Sequence, residues 1–160
     1  MTKVIVIGGG WAGCAAAVGA KKVGAEVTLL ERTDMLLGTG LVGGIMRNNG
    51  RFTATEELIA MGGGDLFTIC DKTARHKSIE FPGHKHASLY DIASTHGEVL
   101  NHLLHLGVEV VFQRRVNNIH MKEDRILSVE DQRGRIFEGD VFVDTTGTAG
   151  PMNNCVKYGN

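Results

Sequence analysis

The ordered pattern starts at once. Residues 3–7 (KVIVI) are apolar and mostly β-branched after the lysine, the pattern of a strand covered on both faces in a parallel sheet. Residues 13–23 are rich in alanine and predict a helix whose small side chains let it lie close to that sheet. Gly24 stands where a C-terminal cap belongs, and residues 25–30 (AEVTLL) predict a second strand ending at Glu31. Strand, helix and strand together fill about 30 residues, the length of a βαβ unit.

Regularity weakens between residues 32 and 90. Glycines gather at 38, 40, 43 and 44, and again at 62 to 64. Residues 55–61 (TEELIAM) predict a short helix capped by Thr53 or Thr55, and residues 65–72 a second helical piece. Residues 74–89 are polar, carry Pro82, and read as loop. The segment from about 38 to 90 is therefore expected to be an insertion over the sheet edge. Periodicity returns in residues 92–106, where Ile92, Val99, Leu100, Leu103, Leu104 and Leu106 recur near helical spacing until Gly107. Residues 108–112 (VEVVF) read as a third buried strand. Residues 116–137 alternate around charged turns at 122–124 and 133–134, as a small antiparallel meander does. Residues 140–146 (DVFVDTT) make a last strand, stopped by Gly147. The order predicts an α/β domain of three layers, Rossmann-like, with a central, mainly parallel sheet and a β-meander crossover.

Composition narrows the function. Glycine accounts for 22 of the 160 residues, about twice the usual share of about 7%. There is no collagen period and no Ser/Pro-rich tract, so the excess points to tight turns and to backbone lying close to a ligand. Lys and Arg total 17 against 18 Asp and Glu, a net charge of −1 that gives no footprint for nucleic acid or anionic lipid. Cys14, Cys70 and Cys155 are scattered without metal spacing and read as reduced thiols in a cytoplasmic protein. The apolar N-terminus is broken by Gly8–Gly10 and is not a secretory signal; no run reaches the about 18 apolar residues of a membrane span.

The chemistry lies in Gly8-Gly9-Gly10-Trp11-Ala12-Gly13, which fits G-x-G-x-x-G. That pattern is weak alone, but here it follows a buried strand, opens a helix, and precedes an acid, Glu31, by 18 residues at the end of the second strand. Gly8 is expected to make the tight turn, Gly10 to let main chain approach a diphosphate, and Gly13 to let helix and strand pack closely. The helix N-terminus, including Trp11 and Ala12, supplies N–H groups for the diphosphate. Glu31 is expected to accept from ribose hydroxyls, and its charge disfavours a 2′-phosphate.

The stretch after Glu31 resembles flavoproteins with the glutathione-reductase-type FAD fold. In those proteins the acid is followed by a basic residue, here Arg32, and then by a Gly-Gly pair. Gly38 matches the first glycine and Thr39 replaces the second; Gly43 and Gly44 follow. GGGWAGCAAA and the later glycine loop are also similar to the FAD-dependent oxidoreductases related to glucose-inhibited division protein A. The resemblance spans the whole chain: Gly107-Val108-Glu109-Val110 leads to Val116, whose backbone it places at the adenine, and the last strand ends in a Thr146–Gly147 stop beside the cofactor. It implies FAD as cofactor, flavin-dependent oxidoreduction of a small-molecule substrate, and a homo-oligomer as a possible state. A later Gly-Asp motif of that family does not follow Gly147, so the chain reads as an N-terminal FAD-binding domain, residues 1–160, of a longer or split enzyme. A stand-alone NAD-binding module, part of a tRNA-modifying flavoenzyme and a fragment unable to hold cofactor remain alternatives.

Other residues carry weaker signals. His84 with His86, and His102 with His105, lack a completing ligand and read as solvated, so no metal site is expected. Cys14 heads the first helix but is expected to be a small buried filler rather than a nucleophile. Trp11 either covers the cofactor or is a partly exposed loop residue. Arg47, Asn48, Asn49 and Arg51 either face flavin or substrate or lie in a surface loop. No catalytic acid or base is assigned, which fits a flavin enzyme, where the ring carries the electrons.

Overall fold

The computed structural model describes residues 1–48, 54–82, 84–147 and 150. Its centre is a four-stranded sheet of β1 (Lys3–Ile7), β2 (Glu26–Leu30), β6 (Glu109–Val111) and β10 (Val141–Asp144), ordered β10-β1-β2-β6 and parallel throughout. Strand alternation divides the core between two faces. Val4, Val6, Val27 and Leu29 face one layer, built from helix α1 (Trp11–Lys22) and helix α4 (Ile92–His105), with Cys14, Ala17, Val18, Val99 and Leu103 opposite them. Ile5, Ile7 and Leu30 face the other layer, the antiparallel meander β7 (Val116–Lys122), β8 (Arg125–Asp131) and β9 (Ile136–Glu138), through Val116, Val129 and Phe137. The expected three layers are present, helices on one side and meander on the other.

The middle of the chain differs from its sequence reading. Residues 74–81 and 84–89 are not a loop. They form β4 (Ala74–Phe81) and β5 (His84–Tyr90), paired antiparallel, with β3 (Arg47–Asn48) added on β5. The register shifts repeatedly between β4 and β5, so their inward and outward positions do not alternate in sequence. The insertion also joins the helix layer. Helix α3 (Asp65–Thr73), which follows helix α2 (Thr55–Ala60), buries Leu66 and Cys70 in the core cluster of α1 and α4. Lys22 of α1 and His102 of α4 both pair with Asp65 at the start of α3. Thr55 is the first residue of α2 and Ala54 its N-cap; Thr53 lies outside the described residues. Among the described residues no helix is long and apolar enough to cross a membrane.

Candidate dinucleotide site

The parallel strands bring the loops leaving β1, β2, β6 and β10 to one edge of the sheet, where such folds open a ligand crevice. The glycine turn follows β1. Gly8 has φ +102°, a left-handed conformation that strains any side chain, and its N–H donates to Leu30 O at 2.8 Å. Helix α1 begins at Trp11, two residues before the alanine-rich run, so Trp11 and Ala12 are helical rather than loop. Its first internal bond runs from Cys14 N–H to Gly10 O at 2.9 Å, and no side chain caps Gly10. The N–H groups of Trp11, Ala12 and Gly13 thus have no acceptor within the helix and carry the positive end of its dipole. No acid stands in the first turn, and Lys21 and Lys22 occupy the last.

The glycines of the motif answer to different constraints. A Cβ on Gly13 would lie 1.8 Å from Gly8 O, so only a hydrogen fits between helix and turn. A Cβ on Gly10 would meet nothing within 4 Å, and its φ of −68° is open to any residue. Neither packing nor backbone requires glycine at position 10. Its small size instead leaves free the space above the helix N–H groups, which is the shape a diphosphate needs.

Glu31 is buried, and protein groups already use its carboxylate. Oε2 accepts Gly9 N–H at 2.7 Å; Oε1 accepts Thr33 N–H at 2.7 Å and the Thr33 hydroxyl at 2.9 Å. The acid therefore fastens the glycine turn to the end of β2, a role its spacing did not reveal. Oε2 keeps one lone pair for a further donor. Arg32 beside it is exposed. The chain then returns to the turn. Leu37 N–H donates to Gly9 O at 2.7 Å, and Leu37 pairs with Gly10 in an isolated parallel bridge, at φ +68°. From the other side, Thr145 Oγ1 lies 2.9 Å from Ile7 O and 2.8 Å from Gly8 O, and Thr145 N–H donates to Ile7 O at 2.9 Å. Thr145 closes the turn; sequence reasoning stopped one residue later. Thr146 folds back onto Asp144 through N–H and hydroxyl at 2.9 and 2.6 Å, and Gly147, at φ +88°, is exposed.

Two further segments border the crevice. After β6, Gln113 N–H donates to Thr33 O at 3.0 Å and Arg114 N–H to Glu31 O at 2.9 Å, which brings Val116, buried at the head of β7, next to the end of β2. Residues 38–44 make a tight loop that opens with the 3-10 turn Gly38–Gly40. Gly43 N–H donates to Gly38 O at 3.0 Å and Ile45 N–H to Thr39 O at 3.1 Å; Thr39, Gly43 and Gly44 are exposed. The Trp11 ring is half-buried and meets buried Tyr90 edge-on at 5.7 Å. A Cβ on Gly40 would stand 2.2 Å from Trp11 Nε1, so the indole packs into the underside of this loop. Burial pushes the Tyr90 phenol up to about 12, partly opposed by Trp11, and keeps it neutral.

The remaining candidates separate cleanly. Arg47 and Asn48 belong to β3; Asn49 and Arg51 lie outside the described residues. Cys14 is fully buried, and burial pushes its thiol up to about 12, as a filler requires. Cys70 is likewise buried and raised to about 12, and Cys155 lies outside the described residues. His102 is not merely solvated: its Nε2 stands 3.1 Å from Asp65 Oδ2. His84 and His86 fall in β5. Among the described residues no cluster of three or more His, Cys, Asp or Glu forms a metal site.

Comparison with known proteins decides the family. The model of glucose inhibited division protein A matches residues 3–159. The chain belongs to that family. A family relative, the tRNA uridine 5-carboxymethylaminomethyl modification enzyme of Buchnera aphidicola subsp. Cinara cedri (strain Cc), is 23% identical over 154 residues, covering 91% of this chain and 24% of that protein. The solved Aquifex aeolicus GidA superposes with a TM-score of 0.71 at 19% identity, over 92% of this chain and 25% of the other. CtdE, solved in complex with FAD and a substrate, gives a TM-score of 0.69 at 16% identity, over 98% and 40%. The glucose-inhibited division protein A relatives thus share the fold described above, and the chain spans only part of their length.

Proposed function

We propose that this chain is the FAD-binding part of a flavin-dependent oxidoreductase. The observation that carries the reading is Gly10: it faces open space above the unpaired N–H groups of α1, in a turn otherwise packed tightly at Gly13. The diphosphate sits there, on Gly10, Trp11, Ala12 and Gly13. One ribose hydroxyl donates to the spare lone pair of Glu31 Oε2, beside exposed Arg32. The adenine side is formed by the Val116 backbone, and the flavin side by Gly38, Thr39, Gly43, Gly44, Thr146 and Gly147. Gly8 shapes the turn, and Trp11 supports the flavin-side loop from below. When bound, the flavin supplies the hydride and electron chemistry, while these residues bind and orient it.

Titration calorimetry with ADP and with FMN tests the reading, because the residues named here serve mostly the ADP half. ADP is expected to bind and FMN to bind at least about tenfold more weakly, a difference of about 1.4 kcal/mol. Equal binding of both, or of neither, overturns it. A second reading, part of a tRNA-modifying flavoenzyme, is supported by what the Buchnera relative is named for. The net charge of −1 adds nothing to it, and tRNA retention by the whole protein is its test.

A further inference from the structure

His96, in α4, is half-buried. Its Nδ1 lies 3.1 Å from Leu36 N, and its ring packs near Phe112 with centroids 6.0 Å apart. The Leu36 partner is a main-chain N–H, which only donates, so Nδ1 must be the acceptor and the imidazole must be neutral with its proton on Nε2. Leu36 and Leu37 are wholly buried. Leu37 is held in a left-handed conformation that a leucine does not adopt unaided, and it carries the N–H that reaches Gly9 O and the bridge to Gly10. A Cβ on Gly9 would lie 2.9 Å from Leu36 Cδ2, so this segment lies directly against the turn.

We infer that His96 is a positioning residue for the diphosphate turn, and that its neutral imidazole latches residues 36–37, and through them Gly9 and Gly10, in the binding conformation. The inference rests on the dinucleotide reading of that turn. Protonating Nδ1 sets a donor against a donor, removes the acceptor from a buried N–H and frees a strained leucine to relax. The charged groups on the elements around His96 are engaged elsewhere or exposed. Glu31 accepts from Gly9 and Thr33, Glu109 of β6 accepts from Thr28, Glu98 of α4 pairs with Lys72 of α3, Asp91 pairs with Arg75 of β4, Lys22 of α1 pairs with Asp65, and Arg32 and Asp34 of the 31–37 segment are exposed. Among the described residues none forms an ion pair with His96, so the Leu36 N–H sets which form the latch requires.

The test measures ADP affinity at a series of pH values from about pH 8 to about pH 5.5. Native affinity is expected to fall about tenfold or more over that range, the loss of one buried hydrogen bond. His96→Gln, whose amide oxygen accepts without titrating, is expected to keep most of the affinity and flatten the profile. His96→Leu is expected to be weak at every pH. Parallel profiles for native protein and His96→Gln overturn the latch. Hydrogen exchange at the Leu36 amide in the nucleotide-free chain separates the two claims. Protection that falls with pH only where His96 is present supports the latch even if no nucleotide binds, which would sink the cofactor reading alone. Protection independent of residue 96 overturns the latch.

Discussion

At the residue scale, the binding turn is held by groups that point at one another before any ligand arrives. Glu31 takes three donors from Gly9 and Thr33 while buried. Glu31→Gln puts an NH2 group against one of those donors whichever way the amide turns. A stability loss of about 1–3 kcal/mol in denaturant unfolding is expected, with ADP binding lost alongside. Gly10 and Gly13 separate folding from binding. Gly10→Val projects into open space from a φ of −68°, so unfolding should shift only by the about 0.5–1 kcal/mol of a poorer helix N-cap while ADP binding disappears. Gly13→Ala drives a methyl into Gly8 O, a backbone atom that cannot swing away, and should destabilise by about 1–3 kcal/mol or more. If both variants merely destabilised, Gly10 would not be the ligand's approach. The turn at Gly8 and the close packing at Gly13 were legible because they follow from local order along the chain. Thr145 and His96 were not, since each acts across 60 residues or more, |i−j| being 138 for Thr145 to Ile7 and 60 for His96 to Leu36.

At the element scale, legibility follows burial pattern. β1, β2 and the meander announce themselves because one or both faces are covered and their apolar spacing shows it. The β4–β5 hairpin does not, because its residues are largely polar and its repeated register shifts erase the period of two that marks a half-buried strand. Pro82 argued for loop although a proline equally marks a turn between strands. The helix layer, in contrast, reaches into this insertion through Trp11. The indole links α1 to the 38–44 loop and to Tyr90 at the end of β5. Trp11→Ala opens a space beneath Gly40 and should cost about 2–4 kcal/mol. Trp11→Phe, which keeps the edge contact with Tyr90, should recover about half. Limited proteolysis within the 38–44 loop reads the difference: rapid cleavage in Trp11→Ala alone fits a prop, and equal cleavage in all three proteins contradicts it.

At the scale of the whole molecule, the insertion, α1 and α4 are tied together by ionised carboxylates at helix starts, and acid should loosen that layer first. Asp65 opens α3 and meets Lys22 of α1 and His102 of α4; Lys22 foremost holds its carboxyl below the usual range, against some burial. Asp91 caps α4, and the Ser94 N–H, followed by Arg75, holds its carboxyl down at about 2. Each group has a folded value below its unfolded one. The unfolded chain therefore binds the proton first, and the stabilisation is present above the ordinary carboxylate value of about 3.9 and lost as pH falls through the folded values. The thermal midpoint should accordingly decline between about pH 4 and about pH 2. The doubly substituted Asp65→Asn, Asp91→Asn chain should start lower and decline less steeply, since an amide keeps part of the cap but none of the titration. The parallel sheet and meander share none of these contacts, so exchange protection in α3 and in the first turn of α4 should fall before protection in β1. An acid limb of unchanged slope in the double variant would place the acid sensitivity outside the helical layer.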